Sequence, residues 1–84
     1  MTYQIRFTKV AQKDVQRLTP KLREKLKDIL RGRIAVNPHA GKPLIGELKG
    51  YYSVRLSHKD RIVYSIHEEK LVVLVIRART HYGD

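Results

Sequence analysis

The sequence predicts an α+β domain. An N-terminal strand and an antiparallel helical hairpin precede a three-stranded antiparallel meander, giving a twisted sheet with helices on one face. Three observations predict it. Gly50–Ile66, GYYSVRLSHKDRIVYSI, holds two alternating apolar runs around a polar corner, SHKD. Tyr52, Val54 and Leu56 share one face before the corner, and Ile62, Tyr64 and Ile66 repeat the pattern after it, so the stretch forms a β-hairpin with one buried face. Upstream, apolar residues recur at helical spacing. Downstream, LVVLVI is a nearly unbroken apolar run, as in a strand covered on both faces.

In chain order, Tyr3, Ile5 and Phe7 alternate with Gln4 and Arg6, predicting a strand over 2–7. Thr8 is a good N-cap for a helix running to Leu18 with an Ala11, Val15 and Leu18 stripe. Thr19-Pro20 restarts the chain, with Thr as cap and Pro at the first helical position. The second helix, Pro20–Val36, is expected to bury Leu22, Leu26, Ile29, Leu30 and Ile34. Its other face is Lys21, Arg23, Lys25, Lys27 and Arg31, with Glu24 and Asp28 as partners one turn away. Asn37–Gly46 holds two Pro and two Gly and is a loop. His67–Lys70 is a second turn, and Leu71–Arg79 is the last strand.

A chain of 84 residues forms a single domain, 1–84, and 42% hydrophobic residues suffice only for a thin core. There is no cysteine, which excludes disulfides and thiolate–zinc sites and suits a cytoplasmic location. The N-terminus has no signal-peptide pattern, and Leu71–Ile76 is too short to cross a bilayer, so no membrane partner is expected. Eighteen Lys and Arg against eight Asp and Glu give a net charge of +10, the footprint of a polyanion-binding protein, most often of nucleic acid.

Several residues are candidates for chemistry. Arg55 lies on the hairpin face opposite the apolar one and Arg61 just past the corner, two guanidinium groups on a stiff support suited to gripping phosphate. Taken singly, each is also an ordinary solvated arginine. His81 and Tyr82 close the chain; imidazole suits proton transfer, and the phenol suits stacking or hydrogen bonding. Glu47 is a candidate base, although an ion pair with Lys49 or Lys42 is the plainer role. Lys42, Lys49, Arg55 and Arg79 are candidate RNA contacts. His39, His58 and His67 fall in turns and are assigned no function, and no two His stand at metal-binding helical spacing.

The run GYYSVRLSHKDRIVYSI, the valine-rich strand after it and RARTHY near the end resemble the RelE/ParE toxin superfamily, and within it the YoeB/Txe branch. The resemblance covers nearly the whole chain; its most specific pieces are the DRIVY segment and the terminal His-Tyr pair. It implies a cofactor-free mRNA interferase that cuts messages in the ribosomal A site and is neutralised by a cognate acidic antitoxin. In that chemistry the 2′-hydroxyl attacks the adjacent phosphorus and the 5′-oxygen leaves. By resemblance, Arg61 stabilises the phosphate, His81 protonates the leaving oxygen, Tyr82 orients the substrate and Arg55 holds the backbone. The YoeB branch has a glutamate in the segment matching Gly41–Leu44, where this chain has Lys42, so either Glu47 or another group accepts the proton. The alternatives are a ParE-like DNA gyrase inhibitor that needs no His-Tyr tail and cleaves nothing, and an RNA-associated module without toxicity.

Overall fold

Thr8 and Thr19 start the two helices as the sequence predicts. In the computed structural model, which describes residues 2–78, Thr8 accepts from the Ala11 amide and Thr19 from the Leu22 amide. Each cap satisfies a backbone donor that the first helical turn leaves open, a contribution of about 1 kcal/mol. The helices are α1 (Lys9–Arg17) and α2 (Pro20–Ile29).

Beyond Ile29 the predicted helix does not stay α-helical to Val36. Leu30–Ile34 form a π turn, closed by the Ala35 amide on the Leu30 carbonyl at 2.7 Å. The wider turn lets Leu30, Ile34 and Ala35 all be buried while Arg31, Gly32 and Arg33 stay exposed.

The strands are β1 (Gln4–Phe7), β2 (Lys42–Pro43), β3 (Tyr51–Arg55), β4 (Arg61–His67) and β5 (Val72–Arg77). They form one sheet in the order β1-β5-β4-β3-β2. The meander β3-β4-β5 is antiparallel as predicted, and β1 joins β5 in parallel. The β2 strand is not expected from the sequence: it is a two-residue edge strand inside the predicted loop. Its Pro43 lacks a ladder donor, which an edge position tolerates. The Gly50 φ of +101° suits the glycine that opens β3.

The helices and one sheet face share a core of Ala11, Leu18, Leu26, Leu30 and Ile34 against Val54, Leu56, Ile62, Tyr64, Val73 and Val75. The expectation that β5 is covered on both faces holds only in part. Val73 and Val75 are fully buried, whereas Val72, Leu74 and Ile76 on the other side are half-buried.

Tyr64 is the largest core side chain and the one with a polar end. Its hydroxyl donates to the Pro38 carbonyl at 2.6 Å, and its ring stacks on Tyr52 at 5.7 Å between centroids. A Cβ at Gly41 would fall on the Tyr64 hydroxyl, so glycine there lets the loop backbone pass over the phenol. Burial pushes the Tyr64 phenol up from its ordinary value of 10.0 to about 12, against smaller lowering effects of the Gly41 backbone and the Arg33 charge.

Candidate functional site

The sheet face turned away from the helices is built by the registers of its ladders. In the β3–β4 hairpin, Arg55 pairs with Arg61, Ser53 with Val63 and Tyr51 with Ser65. Lys42 of β2 lies beside Ser53, and Arg77 of β5 lies beside Val63. One cross-sheet row therefore reads Lys42, Ser53, Val63, with the Arg55–Arg61 pair two residues nearer the corner, while the register shift beside Val63 takes Arg77 out of the alternation.

The corner that carries this pair is internally braced. The Leu56 and Ser57 amides donate to the Asp60 carbonyl at 2.9 and 3.1 Å. The Ser57 hydroxyl accepts from the Lys59 and Asp60 amides and lies 3.2 Å from Asp60 Oδ2. Ser and Asp thus replace the ladder where the chain reverses.

Arg55 is exposed and Arg61 half-buried, and neither takes part in an ion pair among the described residues. Directly opposed residues of antiparallel strands have Cα atoms about 4.5–5.5 Å apart, and like charges so placed repel. Nothing in the described fold neutralises this pair, so an anion bound between the two groups relieves the repulsion and gains paired N–H donors. Ser53 and Val63, midway along the face, are buried at 2% and 1% exposure. Ser53 Oγ and Asp60 Oδ1 have no hydrogen-bond partner among the described residues.

The structure brings Arg55, Arg61 and Lys42 onto this face. Arg77, opposite Val63 at the register shift, turns instead to α1 and donates to Asp14 from Nε at 2.8 Å. Glu47 and Lys49 lie elsewhere. Glu47 sits in a short 3-10 turn (Gly46–Leu48) before β3, at the Tyr51 end, and Lys49 follows it. Four strand steps separate that end from Arg55, about 13 Å. Neither of the surface ion pairs anticipated for Glu47, with Lys42 or Lys49, is among those formed by the described residues. His81, Tyr82 and Arg79 lie outside the described residues.

Two features escape a reading of the sequence. Asp14 is 5% exposed and accepts from the Ala78 amide at 3.1 Å as well as from Arg77. Its signal is its position, three residues after Ala11 and four before Leu18, which puts an acid on the buried stripe. His39, assigned no role, has Nε2 2.7 Å from Glu68 Oε1 and Nδ1 3.3 Å from the Tyr52 hydroxyl. A neutral ring protonated on Nε2 satisfies both contacts and ties the Pro38–Ala40 turn to the β4–β5 turn.

A groove of about 500 Å³ opens between β1 and α2, on the helix side. Ile5, Phe7, Leu26 and Leu30 line it together with Arg23 and Lys27 of α2 and Arg31 of the π turn that continues it. Among the described residues no helix is long and apolar enough to cross a membrane, and no three His, Asp or Glu side chains converge as a metal site.

Residues 6–82, which include both helices and strands β2 to β5, match the family described as the YoeB-like toxin of bacterial type II toxin–antitoxin systems. The chain belongs to that family. It is similar to the toxin RelG of Mycobacterium tuberculosis, at 33% identity over 100% of this chain and 95% of the relative. The solved toxin–antitoxin complex RelBE2 of the same organism superposes with a TM-score of 0.85 at 32% identity, covering 100% of this chain and 95% of the other. A YoeB/ParE toxin from Agrobacterium tumefaciens gives a TM-score of 0.84 at 30% identity, over 94% and 99% of the two chains. As a YoeB-like toxin, the protein has the α+β architecture of that family, with its mixed sheet and paired helices.

Proposed function

We propose that this toxin is a ribosome-dependent mRNA endoribonuclease that cuts the message in the ribosomal A site. The observation that carries the proposal is the Arg55–Arg61 pair, two opposed guanidinium groups on a braced hairpin with no acidic partner among the described residues. Arginine is suited to this task because its planar fork meets phosphate oxygens two at a time. Membership of the YoeB-like family supports the same chemistry.

The reaction is transesterification. The 2′-hydroxyl loses its proton and attacks phosphorus, the bond to the 5′-oxygen breaks, and that oxygen takes up a proton. Arg61 meets the charge that builds on the non-bridging oxygens, the largest contribution open to such a site. Arg55 and Lys42 hold the neighbouring backbone, with Lys49 and Arg79 as further contacts along the message. His81 supplies the proton to the leaving oxygen, and Tyr82 orients the nucleotide by stacking. Glu47 serves as acceptor of the 2′-hydroxyl proton when the message lies along β3, from the arginine pair toward Tyr51. No step calls on a metal or other cofactor. The ribosome supplies the remaining positioning by presenting the nucleotide in one orientation.

The partner that restrains the toxin is an acidic antitoxin segment. A charge of +10 and an apolar groove edged by Arg23, Lys27 and Arg31 suit an acidic amphipathic chain that folds as it binds. Ribosomes and antitoxin together place the toxin in the cytoplasm.

The test is primer extension on a translated message and on the same RNA free in solution. Cleavage is expected only once ribosomes translate, and it is lost in the His81→Ala, Tyr82→Ala double variant. Robust degradation of free RNA contradicts ribosome dependence. Toxicity that survives the double substitution transfers the protein to the gyrase-binding class.

A further inference from the structure

Helix α1 holds the end of β5 at two points. At its N-terminus, the Thr8 amide donates to the Val75 carbonyl at 3.0 Å, and the Thr8 hydroxyl donates to the Ile76 carbonyl at 3.1 Å. Two turns further on, Asp14 Oδ2 accepts from Arg77 Nε at 2.8 Å and from the Ala78 amide at 3.1 Å, and Oδ1 lies 3.4 Å from Arg77 Nη2. Four consecutive residues of the strand's end are therefore tied to one helix.

The sheet itself loosens its hold there. Tyr64 pairs with Val75, but the residue before it in β4, Val63, pairs with Arg77, leaving Ile76 as an additional residue. A bulge of this kind bends the strand and re-aims the residues beyond it. The bulged segment is the stretch that α1 secures.

Asp14 sits on the apolar stripe of its helix. A buried carboxylate is a costly choice for packing alone, because an apolar residue of similar size often stabilises as well or better. What distinguishes this carboxylate is the segment it holds, since Ala78 lies three residues before His81.

We propose that Asp14 is a positioning residue for the cleavage reaction. By gripping Arg77 and the Ala78 amide, it fixes the strand end that precedes His81 by three residues. This rests on the mRNA-cleavage function proposed above. The effect of Asp14 is exerted through His81, and a displacement of about 1 Å at the reacting groups costs on the order of a hundredfold in rate.

The experiment is single-turnover cleavage on purified translating ribosomes, using the full chain as wild type, Asp14→Asn, His81→Ala and the Asp14→Asn/His81→Ala double variant. Asp14→Asn is expected to slow cutting by about a hundredfold while the toxin concentration giving half-maximal rate moves less than twofold. In the His81→Ala background, adding Asp14→Asn is expected to cost nothing more, because the group it positions is gone. Losses that multiply in the double variant, or a shift in half-maximal concentration without a change in rate, overturn the inference. Wild-type cutting together with undiminished cutting by Asp14→Asn overturns the inference alone. A wild type that does not cut overturns the proposed function and this inference together. If Asp14→Asn fails to fold, Arg77→Lys is read out in the same way, since it keeps the charge and removes the fork that meets Asp14.

Discussion

Arg55 and Arg61 face each other across the β3–β4 hairpin, closest to the corner that Ser57 and Asp60 brace. Such a pair opposes folding, because like charges directly opposite one another repel. It has a function only if an anion comes between the two groups.

Arg61→Gln therefore separates stability from activity. Cleavage on translating ribosomes is expected to fall by about 10²–10³-fold, the usual cost of removing a donor aimed at developing negative charge. The melting temperature is expected to stay level or rise slightly. Arg61→Lys should recover little, because an ammonium group cannot supply two parallel donors. Equal activity of wild type and Arg61→Gln would remove the arginine from the reaction.

The legibility of the fold in the sequence depends on the range of each interaction. The hairpin, the two threonine caps and the parting of Arg55 from the Tyr52–Val54–Leu56 face all arise from alternation and local hydrogen bonding, and each is present where the sequence predicts it. The β2 strand is not legible, because Lys42 and Pro43 carry no alternation of their own and become a strand only by lying beside Tyr52 and Ser53. The π turn at Leu30–Ile34 is likewise set by packing, which draws Ile34 and Ala35 inward together. In the candidate site, Arg55 and Arg61 are legible because a hairpin fixes them from both sides. Asp14 is not, because its partners, Arg77 and Ala78, lie more than sixty positions away. Glu47 shows the opposite failure: nearness in sequence to Lys42 and Lys49 suggests ion pairs that the described fold does not make.

The raised Tyr64 phenol predicts a definite alkaline limit. The folded state keeps the proton until about pH 12, whereas the unfolded phenol releases it near 10.0. The folded pKa is the higher, so this contribution to stability is complete below pH 10, declines above it and is gone once pH has passed the folded value. Monitored by tyrosinate absorbance, one phenol is expected to ionise with a midpoint near pH 12. Tyr64→Phe should remove that step. It also leaves the Pro38 carbonyl without its donor, at a cost of about 1–3 kcal/mol in urea unfolding. A wild-type titration complete by pH 11 would contradict the burial of the hydroxyl.

Glu47→Gln tests the longest reach in the proposed chemistry. A general base typically contributes about 10²–10⁴-fold. Glu47 lies before Tyr51, at the end of β3 that is itself about 13 Å of strand from Arg55, so it reaches the 2′-hydroxyl only if the message runs along β3. If it does, the substitution slows cleavage by at least about a hundredfold and flattens the acid limb of the pH–rate profile. A loss smaller than threefold, with the profile unchanged, assigns the proton to a different acceptor and leaves the roles of Arg61 and His81 intact.

The groove between β1 and α2 offers a way to separate restraint from catalysis. Arg23 and Lys27 of α2 and Arg31 of the π turn line it, while the Arg55–Arg61 pair lies on the far side of the sheet. Reversing Lys27 and Arg31 to Glu changes the local charge by four units without altering the apolar floor at Ile5, Phe7 and Leu26. For an acidic antitoxin segment, attraction that steers encounter becomes repulsion. The association rate is therefore expected to fall by more than about tenfold at low salt and to converge on the wild-type rate at high salt. Cleavage on translating ribosomes by the freed toxin is expected to stay within about twofold, because surface charges more than a Debye length of about 8–10 Å from the site are screened. Stopped-flow binding measured alongside cleavage decides the matter. Unaltered association at every salt concentration would place the acidic segment away from this groove, and lost cleavage with intact antitoxin binding would make the α2 cations part of the ribosome contact instead.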